Sequence, residues 1–457
     1  MQLNFLDQKI NITLKKIIEV TNGTFNGPVE SLERKVSTIT IDSKNEKKCD
    51  LYIAIIGKKH DGNQFTEEAF SNGIKFAIIS NPILHSKKTI LVENGRRALA
   101  SIASFLRKKI KPKIIAITGS NGKTTTKEVL VSIMNNYLGE DELLYTEGNF
   151  NNDIGLPLTL LNLKDSHTHA VLELGMNHAG EIAELTKIAE PHIALITNIG
   201  EAHIENFKSK DNIAEAKKEL IDNSKYLETS ILPRDDDYFQ FLARDKKYSN
   251  QITFGFTKKA TINCKVLNET TITIFTPKES TDVRINLLGR NNINNILAAC
   301  ACCYALDIPI SVMKDGIEAV KSIPGRLEII DSDNGAIIIN DSYNANPSSM
   351  REAIDVLVSM KGTKILVIGD MAELGNNTIK YHKELGNYIK KSQIDFTFSV
   401  GIHMKITMQQ LDKNGFWFDS KAALLTKLLK IIDTKSIILI KGSRFMRMEE
   451  FINKIIL

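Results

Sequence analysis

A glycine loop set between two opposite periodicities constrains this chain more than any other feature. Residues 114–117 are an unbroken apolar run, Ile-Ile-Ala-Ile, and Thr118-Gly119-Ser120-Asn121-Gly122-Lys123-Thr124 follows directly. From Thr124 the spacing turns helical as far as about Asn136. An apolar β-branched run stopped by glycine predicts a buried strand, and the change of period predicts a helix after it. Gly119 and Gly122 let backbone N–H groups converge at the helix start, where the helix dipole adds partial positive charge. Lys123 would then reach the outer phosphates of a nucleotide, and the Thr124 hydroxyl would face Mg2+. The longer spacing GxxxxGK[ST] requires glycine at 117, where Ile117 stands, so the loop is a shorter variant. Taken alone it also fits a plain glycine turn.

At 457 residues the chain exceeds one ordinary core, and about three domains are expected. In the first hundred residues, strands are expected at 37–41, 51–56 and 76–80, with helices at 65–72 and 98–109. The basic, proline-ended segment 107–112 breaks both periods and is expected to be a linker. Strand 113–118, helix 124–136, strand 169–173, helix 180–189 and strand 193–197 then alternate as in a sheet covered on both faces by helices. A β-rich stretch at 251–288 leads to a helix at 292–306. From Gly325, strands 336–340, 364–368, 396–400 and 436–440 alternate with helices 347–360, 378–390 and 421–431. The division expected is 1–110, 111–323 and 324–457, all α/β.

Charge and cysteines exclude several function classes. The net charge of +5 comes from 59 basic and 54 acidic residues spread along the chain, with no basic stripe interleaved with aromatics. No case for nucleic acid as main partner follows. Of the five cysteines, Cys300, Cys302 and Cys303 sit in the apolar pattern of a helix, which suits a reducing cytoplasm better than a disulfide framework. No apolar run reaches 18 residues, so neither membrane insertion nor secretion is expected.

A bound nucleotide needs acidic or imidazole groups at the carboxyl ends of neighbouring strands. Glu173 ends the strand at 169–173, and His203 follows the strand at 193–197 and its loop. Either could equally be a structural hydrogen-bonder; His178 is the weaker candidate for substrate contact. Lys217 is unusual: with Ile213, Leu220 and Ile221 it shares the apolar face of its helix, while Lys218 is expected to point elsewhere. Snorkelling over the helix edge and desolvation into a site both remain open.

Further blocks follow in order: Asp42-Ser43-Lys44, Asp61-Gly62, Gly148-Asn149-Phe150-Asn151-Asn152-Asp153-Ile154-Gly155-Leu156-Pro157, Glu173-Leu174-Gly175-Met176, Ala216-Lys217-Lys218-Glu219, Pro324-Gly325-Arg326, Asp341-Ser342-Tyr343-Asn344-Ala345-Asn346-Pro347, Gly369-Asp370-Met371-Ala372-Glu373-Leu374-Gly375 and Lys441-Gly442-Ser443-Arg444. With the phosphate loop, this ordered set resembles the Mur ligase family over nearly the whole chain. The two asparagine-rich blocks resemble its D-alanyl-D-alanine-adding branch. The resemblance implies three domains: an N-terminal one for the UDP end of the substrate, a central phosphate-loop ATPase and a C-terminal Rossmann-like domain. It implies a cytoplasmic, monomeric ligase of peptidoglycan synthesis, and through that a role in cell-wall biogenesis, cell shape and cell division. ATP, UDP-N-acetylmuramoyl-tripeptide and D-alanyl-D-alanine would give the pentapeptide precursor, ADP and phosphate through an acyl phosphate.

Carried onto these positions, Gly119, Ser120, Asn121, Gly122, Lys123, Thr124 and Thr125 would hold ATP phosphates. Asn292 and Asn295 would lie on the adenine side, and Arg326, Asp341 and Tyr343 would meet the nucleotide from the C-terminal domain. Thr124, Glu173, His203 and Lys217, the last as a carbamate, would bind two Mg2+ ions. Lys123, Lys217 and His203 would be catalytic, and Ser43, Lys44, Asn149, Asn151 and Asn152 would contact the UDP-substrate. The sequence departs from the family's pattern at Lys44, where arginine is usual, at Asn63 and Asn291, where histidine is usual, and at Asn340, which replaces an acid. Two rivals are separable. A sister ligase adding a single amino acid is opposed by Asn344-Ala345-Asn346-Pro347. A nucleotide-dependent switch protein would leave Glu173, His203 and Lys217 without a joint role.

Overall fold

The computed structural model describes residues 11–44, 49–244 and 250–456. The apolar run before the glycine loop is the interior strand Lys113–Thr118, and its Ile114–Ile117 side chains are at most 1% exposed. Burial on both faces explains why it shows no alternation. It lies fourth in an all-parallel sheet ordered Asn250–Phe254, Thr229–Pro233, Ile193–Ile196, Lys113–Thr118, His169–Glu173, Leu143–Tyr145. The chain passes from Lys113–Thr118 to one edge and back, then crosses to Ile193–Ile196 on the other side. The carboxyl end of Lys113–Thr118 is therefore a topological switch point, where ligand crevices form.

A second six-stranded sheet lies toward the C-terminus, ordered Glu328–Asp331, Ile337–Asp341, Ser436–Lys441, Thr363–Gly369, Phe396–Val400, Gly415–Phe418. Only its first pair is antiparallel. Near the N-terminus a five-stranded sheet runs Thr24–Phe25, Thr89–Leu91, Phe76–Ile79, Leu51–Ile53, Ile39–Thr40. The β-rich stretch is an antiparallel meander, Asn263–Asn268, Thr271–Phe275, Ser280–Arg284, following the edge strand Asn250–Phe254. The helix Arg290–Ala305 packs its three cysteines fully inside. Burial pushes those thiols up, Cys300 to about 12, so they are inert as nucleophiles. Among the described residues no helix is long and apolar enough to cross a membrane.

Two expectations need correction. The strand expected at 37–41 is two: Lys35–Val36 pairs with Ile12–Thr13, and Ile39–Thr40 joins the five-stranded sheet. Between them the N–H groups of Ser37 and Thr38 donate to the Asp50 carboxylate, at 2.7 and 3.2 Å, instead of to a ladder. The linker expected at 107–112 is largely helix, since Gly95–Ile110 runs on until Lys111 turns left-handed. Arg107 is 6% exposed and pairs with Glu190 at 2.7 Å, so its charge serves packing rather than solvation. Lys218 lies outside the cavity that Lys217 lines, yet it too is buried, with its ammonium 2.6 Å from Asp222 one helical turn on.

Candidate active site

The switch point opens into a cavity of about 1350 Å3 walled by all three large sheets' regions. The helix Lys123–Leu138 starts at its floor, with Gly122 at φ +80° providing the left-handed turn. A side chain at Gly122 would collide with Asn295 at 2.1 Å, so glycine is required for close approach. The loop's first donors are already spent, because Ser120 N–H bonds Asn198 O and Asn121 N–H bonds Asn198 Oδ1. Among the described residues no protein acceptor takes the N–H groups of Gly122, Lys123 or Thr124. These open donors at a helix N-terminus make an anion cradle. Lys123 is recessed here and folds back onto Gly119 O at 2.8 Å. Burial pushes its ammonium down, with Glu173 opposing and Arg326 adding to the shift.

Beside the cradle, Thr124 Oγ1 donates to Glu173 Oε2 at 3.0 Å and accepts from Arg326 Nη2 at 3.3 Å. Glu173 is 2% exposed, and its other oxygen accepts from Asn151 Nδ2 at 2.7 Å. Among the described residues no three His, Cys, Asp or Glu side chains cluster as a metal cage. A hydroxyl and one carboxylate beside a phosphate cradle nevertheless suit Mg2+, which takes hard oxygens and shares its shell with water and phosphates. His203, at φ +61°, lines the same cavity, and its Nδ1 lies 2.6 Å from Glu373 Oε2. That approach falls outside aligned hydrogen-bond geometry and is an ion pair only when the imidazole is protonated.

Lys217 projects into the cavity from helix Lys210–Asp222 and is 2% exposed. Burial drives its ammonium well below the usual lysine range, and the Lys123 charge pushes in the same direction. Of the two open readings, snorkelling gives way to desolvation.

Asn292 and Asn295 are buried and bonded to one another at 3.1 Å. From the C-terminal region, Arg326 stacks 4.1 Å over the Tyr343 ring. Asp341 takes an ion pair from Lys441 at 2.5 Å and the Leu327 N–H at 3.2 Å. Ser120, Asn121, Thr125, Asn149 and His178 also line the cavity, whereas Gly119 lies behind it. Asn152 lines it but its Oδ1 accepts from the Ile154 and Gly155 N–H groups, at 3.2 and 2.8 Å. Ser43 and Lys44 are not among the lining residues; Ser43 donates to Glu68 at 2.6 Å and Lys44 is exposed.

Sequence reasoning missed Arg96, which pairs with Asp153 at the cavity's N-terminal side, and Lys441 and Glu352 opposite. Burial raises the Glu352 carboxyl to about 7 against hydrogen bonding from Asn291 and the Lys441 charge. Only Lys441 carried a signal, as the lysine that ends an apolar strand and opens the block Lys441-Gly442-Ser443-Arg444, though no role was assigned to it.

The chain matches the Mur ligase middle domain over residues 117–303 and the Mur ligase, glutamate ligase domain over 325–444. It is 39% identical over 455 residues to the UDP-N-acetylmuramoyl-tripeptide–D-alanyl-D-alanine ligase of Buchnera aphidicola subsp. Acyrthosiphon pisum (strain APS), covering 98% of each chain. A crystal structure of MurF from Acinetobacter baumannii superposes with TM-score 0.91 at 32% identity, over 98% of this chain and 99% of that one. The MurF ligase from Thermotoga maritima in complex with ADP gives TM-score 0.82 at 27% identity, over 92% and 97%. Fold, site and relatives agree: this chain belongs to the Mur ligase family.

Proposed function

We propose that this chain joins D-alanyl-D-alanine to UDP-N-acetylmuramoyl-tripeptide at the expense of ATP, giving the pentapeptide precursor of peptidoglycan. One observation carries this reading: open phosphate donors on the central sheet and Arg326 from the C-terminal region meet at the Thr124 hydroxyl. The relatives' names supply the substrates, and their full-length coverage extends the reading to the whole chain. It divides into 1–110 for the UDP end, 111–323 for ATP and 324–457 for closing the site.

A carboxylate is a poor acyl donor because its leaving group would be oxide. Attack of a carboxylate oxygen on the γ-phosphorus, with cleavage of the bond to ADP, replaces that leaving group with phosphate. The N–H groups of 122–124 face the charge that spreads over the phosphoryl oxygens, and Lys123 would meet it on swinging away from Gly119 O. The dipeptide nitrogen then attacks the acyl carbon, the C–O bond to phosphate breaks, and the nitrogen loses a proton. Mg2+ held by Thr124, Glu173 and His203 would supply Lewis-acid stabilisation of phosphoryl charge.

Lys217 requires a further modification to take part. A desolvated, neutral amine can attack CO2; the new N–C bond and loss of one proton leave a carbamate anion. The carbamate would be able to hold a second Mg2+ and would complement the Lys123 charge, which the neutral amine cannot do. Asn292 and Asn295 would hold the adenine side, with Asp341 and Tyr343 on the nucleotide. The monomeric state and cytoplasmic setting expected from sequence belong to the same proposal.

The test offers D-alanyl-D-alanine and single amino acids to the enzyme with ATP and each UDP-tripeptide, and weighs the products. Only the dipeptide should couple. Coupling of single amino acids alone would make the chain a sister ligase.

A further inference from the structure

Asn121 stands at the tip of the phosphate loop, yet its side chain is spent on the C-terminal region. Its Nδ2 donates to Ser348 Oγ at 2.9 Å, and its Oδ1 accepts from Asn346 Nδ2 at 2.7 Å. The backbone of the same residue is tied to the opposite side. Its N–H donates to Asn198 Oδ1 at 2.9 Å, and its carbonyl accepts from Thr197 Oγ1 at 2.6 Å and Asn198 Nδ2 at 3.1 Å.

The partners are themselves fixed. Asn346 caps helix Pro347–Ser359, accepting from Ser349 N–H and Ser348 Oγ, both at 2.9 Å. An amide that uses donor and acceptor on two matched groups sets position and orientation together. The peptide between Asn121 and Gly122 is thus gripped from both sides, and the next N–H, that of Gly122, is the first open donor of the anion cradle. Ser348 does not line the cavity itself; it reaches the site through its bonds to Asn121 and Asn346, which do.

We propose that Asn346 and Ser348 are positioning residues that make the phosphate loop's productive shape conditional on docking of the C-terminal region. The inference rests on the ligase reading above and deepens it. An acyl phosphate formed before the amine is in place would be lost to water. A loop shaped by the region that closes the site ties phosphoryl transfer to that closure.

The full-length chain tests this as a double-mutant cycle of Asn121→Ala and Ser348→Ala, with Asn346→Asp as a second third-region variant. Aspartate keeps the helix cap but lacks the donor to Asn121. Ser348→Ala should lower kcat for UDP-tripeptide- and dipeptide-dependent phosphate release about five-fold, the factor for one hydrogen bond, with KM for ATP unchanged. In the Asn121→Ala background it should have little further effect. An equal drop in both backgrounds, an unchanged kcat, or an effect confined to the KM for ATP would overturn the proposal. If Ser348→Ala does not fold, Asn346→Asp decides by the same cycle. Amide hydrogen exchange in the ligand-free chain is independent of turnover. Exchange at the bonded N–H groups of Ser120 and Asn121 should quicken alike in both single variants, and unchanged exchange refutes the clamp even if the substrates prove different. Failure of the ligase reading would show separately, as a wild type that forms no amide.

Discussion

At the carboxyl end of the central sheet, the N–H groups of Gly122, Lys123 and Thr124 find no protein acceptor among the described residues. At the same end of the C-terminal sheet the polar groups satisfy one another. Lys441 bonds Asp341 and Asn344 O, at 2.5 and 3.0 Å; Asp370 accepts from Met404 and His403 N–H, at 2.9 and 3.3 Å; and Ser443 Oγ donates to Asp370 O at 2.6 Å. Both sheets have six strands and nearly parallel order. Architecture therefore does not make the site; unspent donors do. The central end is left with open donors, as the proposed phosphate binding requires, while the C-terminal end is a self-satisfied frame that presents Arg326, Asn346 and Asp341 across the cleft.

The largest effect should come from the open end. Lys123→Met should lower phosphate release at least about 10^3-fold with the melting temperature little changed, because a charge aimed at the transferring phosphoryl group is lost. Near-normal turnover would remove the loop from the chemistry. Lys217→Ala should cost about 10^3-fold as well, since it removes the group proposed to complete the metal shell. Wild type incubated with 13C-bicarbonate should show a carbamate resonance that the variant lacks. A resonance absent from wild type, or wild-type turnover in the variant, would refute the modification.

Breaking the self-satisfied end should act on stability first. Lys441→Met leaves Asp341 buried without its cation and should cost about 3 kcal/mol in denaturant unfolding. A loss below about 0.5 kcal/mol would mean that the frame is looser than its distances imply. The smallest effect concerns Glu352. Its folded pKa is raised from 4.5 to about 7, so the folded state binds more protons than the unfolded chain between those values. Stability is then lost as pH rises through that window and stays reduced above it. Glu352→Gln should stabilise the chain at pH 8 by on the order of 2 kcal/mol and much less at pH 4.5. A gain of equal size at both pH values would contradict the linkage.

The same contrast explains what could be read in the sequence. Strand, glycine turn and helix at 113–138 are local signals, and so is the apolar face shared by Ile213, Lys217, Leu220 and Ile221. Each survived because neighbours along the chain determine it. The burial of Lys218 was not legible because it involves a salt bridge to Asp222 that offsets its charge. Arg107 was misjudged because its partner, Glu190, is remote in sequence. Asn121's bonds to Asn346 and Ser348, and the raised pKa of Glu352, arise from contacts between regions that no periodicity encodes. Ser43 and Lys44 were placed by resemblance to the family, and the side-chain bond from Ser43 to Glu68 shows a hydroxyl committed within its own region.

The central claim is that the unspent donors serve a coupled ligation. Phosphate release measured with and without UDP-tripeptide, and with and without D-alanyl-D-alanine, tests it most directly. The account predicts rapid release only when both are present, with one phosphate for each amide formed. Equal release from ATP with neither substrate present would contradict it.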